Sequence, residues 1–265
     1  MKRVHGSVIV AALAAIALSG CAAGDGGTAA SETPASEAPS EPRTLTVAAA
    51  ASLQNAFTEI GGLFEAEHDG VTVEFTFAGS SSLVTQLSEG APGDVFASAD
   101  EANMDKAVEA GLVEGDAAVF ARNTLEIVTP PDNPARIETL ADIAGEDVDL
   151  VVCAAQVPCG AATATVAEDA GLTLNPVSEE QSVTDVLGRV TSGEADAGLV
   201  YVTDAEAAGD AVHRVAFDEA ADVVNDYPIA ALGAAEDAEL AADFVSFVTG
   251  DEGQAVLAEY GFLAP

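Results

Sequence analysis

The chain has 265 residues, 49% of them hydrophobic, enough for one large domain or two ordinary ones with well-filled cores. Its 8 Lys and Arg stand against 45 Asp and Glu, a formal net charge of −37. That balance argues against a nucleic-acid partner, which needs a basic footprint. It also repels anions at long range, so any anion site here has to work through short-range donors.

Residues 1–20 open with Lys2 and Arg3 and continue through an apolar run from Val8 to Leu18, which reads as a secretory signal peptide, too short to span a membrane. The run ends in Leu18-Ser19-Gly20-Cys21, which resembles the lipobox of bacterial lipoproteins, with Cys21 as the lipidated first residue. Residues 21–43 are almost entirely Gly, Ser, Thr, Ala, Pro and Glu with no large apolar side chain, so they are expected to form a disordered tether. An exported chain meets an oxidising compartment, and the remaining cysteines, Cys153 and Cys159, are expected to pair.

Globular structure is expected from residue 44. Leu45 to Ala51 reads as a strand of small residues, and Leu53, Ala56, Phe57, Ile60, Leu63 and Phe64 repeat at helical spacing behind it, which makes Ser52 the expected N-cap. Val71 to Phe77 alternates as a strand and delivers the chain to Gly79-Ser80-Ser81-Ser82, at the start of a helix carrying Leu83, Val84 and Leu87. Asp94 to Ala99 follows as a buried strand that enters another helix. The order βαβαβα favours a mainly parallel sheet with helices on both faces and ligands beyond the carboxyl ends of the strands. Ser52 and Ser80 both fall on that edge.

Leu125 to Thr129, before Pro130 and Pro131, reads as a strand leaving the first lobe at a hinge. A second α/β unit follows, with a helix near Leu140 to Ile143, a strand from Val148 to Cys153, a loop to Pro158, and helices from Gly160 to Ala170 and Ser182 to Ser192. Gly193 to Gly198 turns into a strand over Leu199 to Val202. Tyr227 to Leu232 reads as the returning crossover strand, and helices over Ala238 to Thr249 and Gln254 to Tyr260 close the chain. The expected organisation is therefore a first lobe over residues 44–124, a second over 125–224, and a return to the first over 225–265.

A serine hydrolase on Ser52 or Ser80 needs a base and an orienting acid. Gly79 to Ser82 lacks the Gly-x-Ser-x-Gly pattern, and after the leader only His68, at a polar helix end, and His213, in an Ala/Val-rich edge segment, remain. No His/Cys cluster has metal-ligand spacing, so the expectation is a chain that is no enzyme and needs no cofactor. On the residues alone, Ser52 and the serine triplet read as helix caps with hydroxyls to spare, and Tyr201 as a core tyrosine.

Four segments, Val47-Ala48-Ala49-Ala50-Ala51-Ser52-Leu53, Phe77 to Leu83, Gly90 to Asp100 and Gly193 to Tyr201, together resemble the molybdate-binding proteins of ABC importers, in uninterrupted order over Leu45 to Pro265. The resemblance implies a two-lobed periplasmic-binding-protein fold of type II that closes on molybdate or tungstate in the interlobe cleft and hands it to a membrane permease. By motif position it implies ligand donors at Ser52, Ser80, the backbone N–H of Cys159, the backbone N–H of Val183, and Tyr201, with the metal bound only as its oxyanion. Sulfate, another tetrahedral oxyanion, is the alternative ligand. The expected protein is a monomer held outside the cell membrane by lipid on Cys21.

Overall fold

The computed structural model describes residues 42–265. The expected signal peptide, the expected lipidation site Cys21 and all but the last residues of the expected tether lie outside the described residues. Among the described residues, ten strands form two five-stranded sheets, each the floor of a lobe.

The first sheet has the order β2-β1-β3-β10-β4, built from β1 (Arg43–Ala50), β2 (Val71–Ala78), β3 (Val95–Ala97), β4 (Ala118–Asn123) and β10 (Asn225–Ala231). The second has the order β7-β6-β8-β5-β9, built from β5 (Leu125–Thr129), β6 (Leu150–Cys153), β7 (Ser178–Glu180), β8 (Ala197–Tyr201) and β9 (His213–Val215). In each sheet the reversed strand is the one that arrives from the other lobe: β10 runs antiparallel to β3 and β4, and β5 antiparallel to β8 and β9. The remaining pairings, β1 with β2 and β3 and β6 with β7 and β8, are parallel, as the alternation of strands and helices in the sequence requires.

Helices α1 (Gln54–Glu67), α2 (Ser80–Ser88), α3 (Glu101–Glu109), α7 (Ala238–Thr249) and α8 (Asp251–Glu259) accompany the first sheet, and α4 (Pro158–Asp169), α5 (Val183–Thr191) and α6 (Val202–Ala208) the second. The first lobe is filled by aromatic rings. Phe57 and Phe64 of α1 meet Phe244 of α7 edge-on, and Phe57 also touches Phe75 and Phe120 from the sheet, so the helix periodicity read from the sequence becomes one buried face. The second lobe is filled instead by aliphatic residues such as Leu150, Val166, Val186 and Leu199.

Several local expectations change. Ser52 is not a helix cap: Ala51–Leu53 forms a 3-10 turn, α1 begins at Gln54, and the Leu53 N-cap position has no side-chain cap bond. The expected helix near Leu140 to Ile143 is a 3-10 turn over Asp142–Ala144. Val202 begins α6 and does not end the preceding strand. Strands β4, β7 and β9 had no counterpart in the sequence reading.

Candidate functional site

The first lobe delivers two hydroxyls to one edge by register. β1 and β2 end together, with Ala50 paired to Ala78, and each strand is followed two residues later by a serine, Ser52 and Ser80. Ser80 is the first residue of α2 and is fully buried. Its Oγ accepts the Ala99 N–H at 3.0 Å, which leaves its own O–H to donate elsewhere. The Ser52 Oγ lies 3.0 Å from the Tyr227 hydroxyl.

The second lobe supplies helix starts. Val157 is the N-cap position of α4 and Pro158 occupies its first turn, so Gly160 N–H bonds back to Val157 while Cys159 N–H has no intrahelical acceptor. Cys159 is joined to Cys153, the last residue of β6, by a disulfide with 5.6 Å between the Cα atoms. The bond pins the helix start to the strand end. Val183 begins α5 behind Ser182, whose Oγ accepts the Asp185 N–H at 3.2 Å as an N-cap. Tyr201 ends β8, and its hydroxyl accepts from Asn225 Nδ2 at 3.1 Å.

These groups meet. Ser52, Gly79, Ser80, Ala99, Cys159, Val183 and Tyr201 line one small, tightly closed cavity between the lobes. Its lining has no charged side chain. What it has is hydroxyls and the N-terminal ends of α2, α4 and α5, whose orphan N–H groups and helix dipoles favour negative charge without a countercation. Burial pushes the Tyr201 phenol well above its usual range, and burial pushes Tyr227 up as well. Both therefore keep their protons at any physiological pH and can donate.

Three contributors were missed in the sequence. Asn225 bonds at once to the Tyr201 hydroxyl and to the Ala99 carbonyl, at 3.1 and 2.9 Å, and so ties the second lobe to the first at the cavity wall. Tyr227 supports Ser52 and stacks edge-on against Tyr201, with ring centroids 5.8 Å apart. Asp204, buried in the first turn of α6, accepts the Tyr201 N–H at 3.2 Å, and desolvation pushes its carboxyl up to about 7. The one available signal was the polar cluster Asn225-Asp226-Tyr227 opening the crossover strand, where a buried strand normally starts with apolar residues. Among the described residues no cluster of His, Cys, Asp and Glu is arranged to hold a metal ion.

Residues 45–263 match the family described as bacterial extracellular solute-binding protein. The chain belongs to this family. Among its relatives, the molybdate-binding protein ModA of Mycobacterium bovis is 48% identical over 223 residues, covering 84% of this chain and 85% of that one. In the solved structures, the periplasmic molybdate-binding protein of Azotobacter vinelandii superposes with a TM-score of 0.70 at 21% identity, over 83% of this chain and 99% of that one. The sulfate-binding protein SubI of Mycobacterium tuberculosis gives 0.69 at 20% identity, over 83% and 86%. At such identities the two superpositions establish the two-lobed fold, and the choice of ligand has to come from the site.

Proposed function

We propose that this solute-binding protein captures molybdate, or its analogue tungstate, outside the cell and delivers it to an ABC transporter permease, acting as a binding protein and not as an enzyme. The observation that carries the reading is the convergence of the Ser52, Ser80 and Tyr201 hydroxyls with the Cys159 and Val183 amides on a cavity free of charged side chains. The 48% identity to a protein named for molybdate binding supports the same ligand.

The donor set suits a tetrahedral dianion. The Ser80 and Tyr201 oxygens already accept from Ala99 and Asn225, so their protons are left for the ligand. The Ser52 hydroxyl is paired with that of Tyr227, a bond in which either oxygen can donate and which holds Ser52 in place at the cavity. Each hydrogen bond to an anion contributes roughly 1.5–3 kcal/mol. Five such bonds, less the costs of association and of ordering the lobes, are consistent with the roughly 8–12 kcal/mol of a micromolar to nanomolar site. A lipid on Cys21 would keep the receptor beside its permease.

Titration calorimetry of the domain with molybdate, tungstate, sulfate and phosphate tests the proposal. Saturable heat with molybdate or tungstate, and weak or absent heat with the others, is the expected result. Silence with both metal oxyanions would overturn it.

A further inference from the structure

Gly79 joins β2 to α2 with φ −60° and ψ 138°, angles open to any residue. Its own backbone gives no reason for glycine. The reason lies across the cleft: a Cβ on Gly79 would stand 2.1 Å from the carbonyl oxygen of Gln181 and 3.4 Å from a methyl of Val157. An ordinary close carbon–oxygen contact is about 3.3 Å or longer.

Both neighbours sit at the mouths of the donor helices of the second lobe. Val157 is the N-cap position of α4, and Gln181 precedes Ser182, the N-cap of α5. The Gln181 carbonyl is held on a firm base, because Glu180 before it is paired with Cys153 in the sheet and its own carbonyl accepts the Ala154 N–H at 2.8 Å. Beside this contact, Asn103 Nδ2 of the first lobe reaches the Gln156 carbonyl of the second at 3.4 Å. Gly79 thus brings the residue before Ser80 against the segments that lead into Cys159 and Val183.

We propose that Gly79 is the positioning residue that sets the closing distance of the cleft, letting the two lobes seat close enough for donors from both to reach one oxyanion. The inference rests on the oxyanion reading of the cavity. A side chain at residue 79 would hold the lobes apart by about an ångström, enough to carry donors on one side out of the roughly 2.7–3.2 Å range of a good bond. The contact is made only when the lobes meet, so a methyl there leaves each separate lobe undisturbed. Gly160 provides the contrast: a Cβ there would meet Ala154 and Cys153 carbonyls at 2.0 and 2.5 Å, both within its own lobe, which makes it a requirement of folding.

The test compares wild type, Gly79→Ala and Gly160→Ala by thermal melting without ligand, molybdate calorimetry and small-angle scattering with and without molybdate. Gly79→Ala is expected to melt like wild type when ligand-free, to bind molybdate at least tenfold more weakly, and to compact less on binding, while Gly160→Ala melts markedly lower. Wild-type affinity and compaction in Gly79→Ala would overturn the proposal, as would a large drop in its ligand-free melting temperature. If wild type binds none of molybdate, tungstate and sulfate, the oxyanion reading fails on wild type alone. The closing role, defined by an oxyanion held between the two lobes, falls with it.

Discussion

Replacing Ser80 by alanine separates the two jobs that its hydroxyl does. The side chain is fully buried, its Oγ accepts the Ala99 N–H at 3.0 Å, and its proton is left for the cavity. The lost donor is a charge-assisted bond to the anion, about 1.5–3 kcal/mol, or roughly a tenfold to hundredfold rise in Kd. The lost acceptor orphans a buried N–H whether or not ligand is present, and costs about 1–3 kcal/mol of stability in the free protein. Calorimetry with molybdate reads the first quantity and chemical denaturation without ligand reads the second. Ala99 and Ser80 are both in the first lobe, so the stability term is the same free and bound, and it cancels from the affinity. A Ser80→Ala protein that is destabilised as expected yet binds within twofold of wild type would refute the donor role and leave Ser80 as a structural acceptor for Ala99.

The Asp204 carboxyl, pushed up to about 7 by desolvation, holds its proton more tightly folded than unfolded. Its contribution to stability is present below pH 4 and is lost as pH rises toward 7, on the order of a few kcal/mol; Asp204→Asn should flatten the fall of melting temperature between pH 5 and 8, and parallel curves would exclude Asp204 as its source. Tyr227→Phe removes the partner of the Ser52 Oγ and is expected to weaken molybdate binding severalfold while costing about 1 kcal/mol of stability; calorimetry and denaturation read both, and an unchanged Kd would mean that Ser52 needs no orientation. The disulfide closes a loop with a sequence separation of only 6, so its entropic contribution is below the roughly 3 kcal/mol of a 15-residue loop. Replacing Cys153 and Cys159 together by alanine should therefore leave a folded protein that binds molybdate several times more weakly, and equal affinity would deny that the bond aims the Cys159 amide.

What could be read from the sequence was local. Ser80 follows a strand and opens a helix, a pattern visible in contiguous residues, whereas the Cys159 and Val183 amides come only from the family resemblance; the structure brings all three residues to one cavity. Ser52 looks like a cap in the sequence because the 3-10 turn over Ala51–Leu53 leaves no trace in apolar spacing; in the structure its hydroxyl pairs with Tyr227. From residues alone Tyr201 was a core tyrosine. It is buried and also lines the cavity, a double role that only the family resemblance suggested beforehand. Asn225 and Tyr227 escaped because their partners are distant in the chain, 126 residues away for Ala99 and 175 for Ser52. Strand β7, Ser178–Glu180, escaped because three polar residues carry no alternation to detect.

The cavity wall without a charged side chain has a kinetic consequence. In a site built around arginine, added salt screens the attraction that draws an anion in, and capture slows. Here the long-range field of a chain with formal charge −37 opposes the approach of a dianion, while the hydroxyls and amides proposed to hold it act only on contact. Salt screens the first, with a Debye length of about 8 Å at 0.15 M, and barely touches the second. Rising ionic strength should therefore speed association and leave dissociation nearly constant, so that the receptor loads faster in brine than in fresh water.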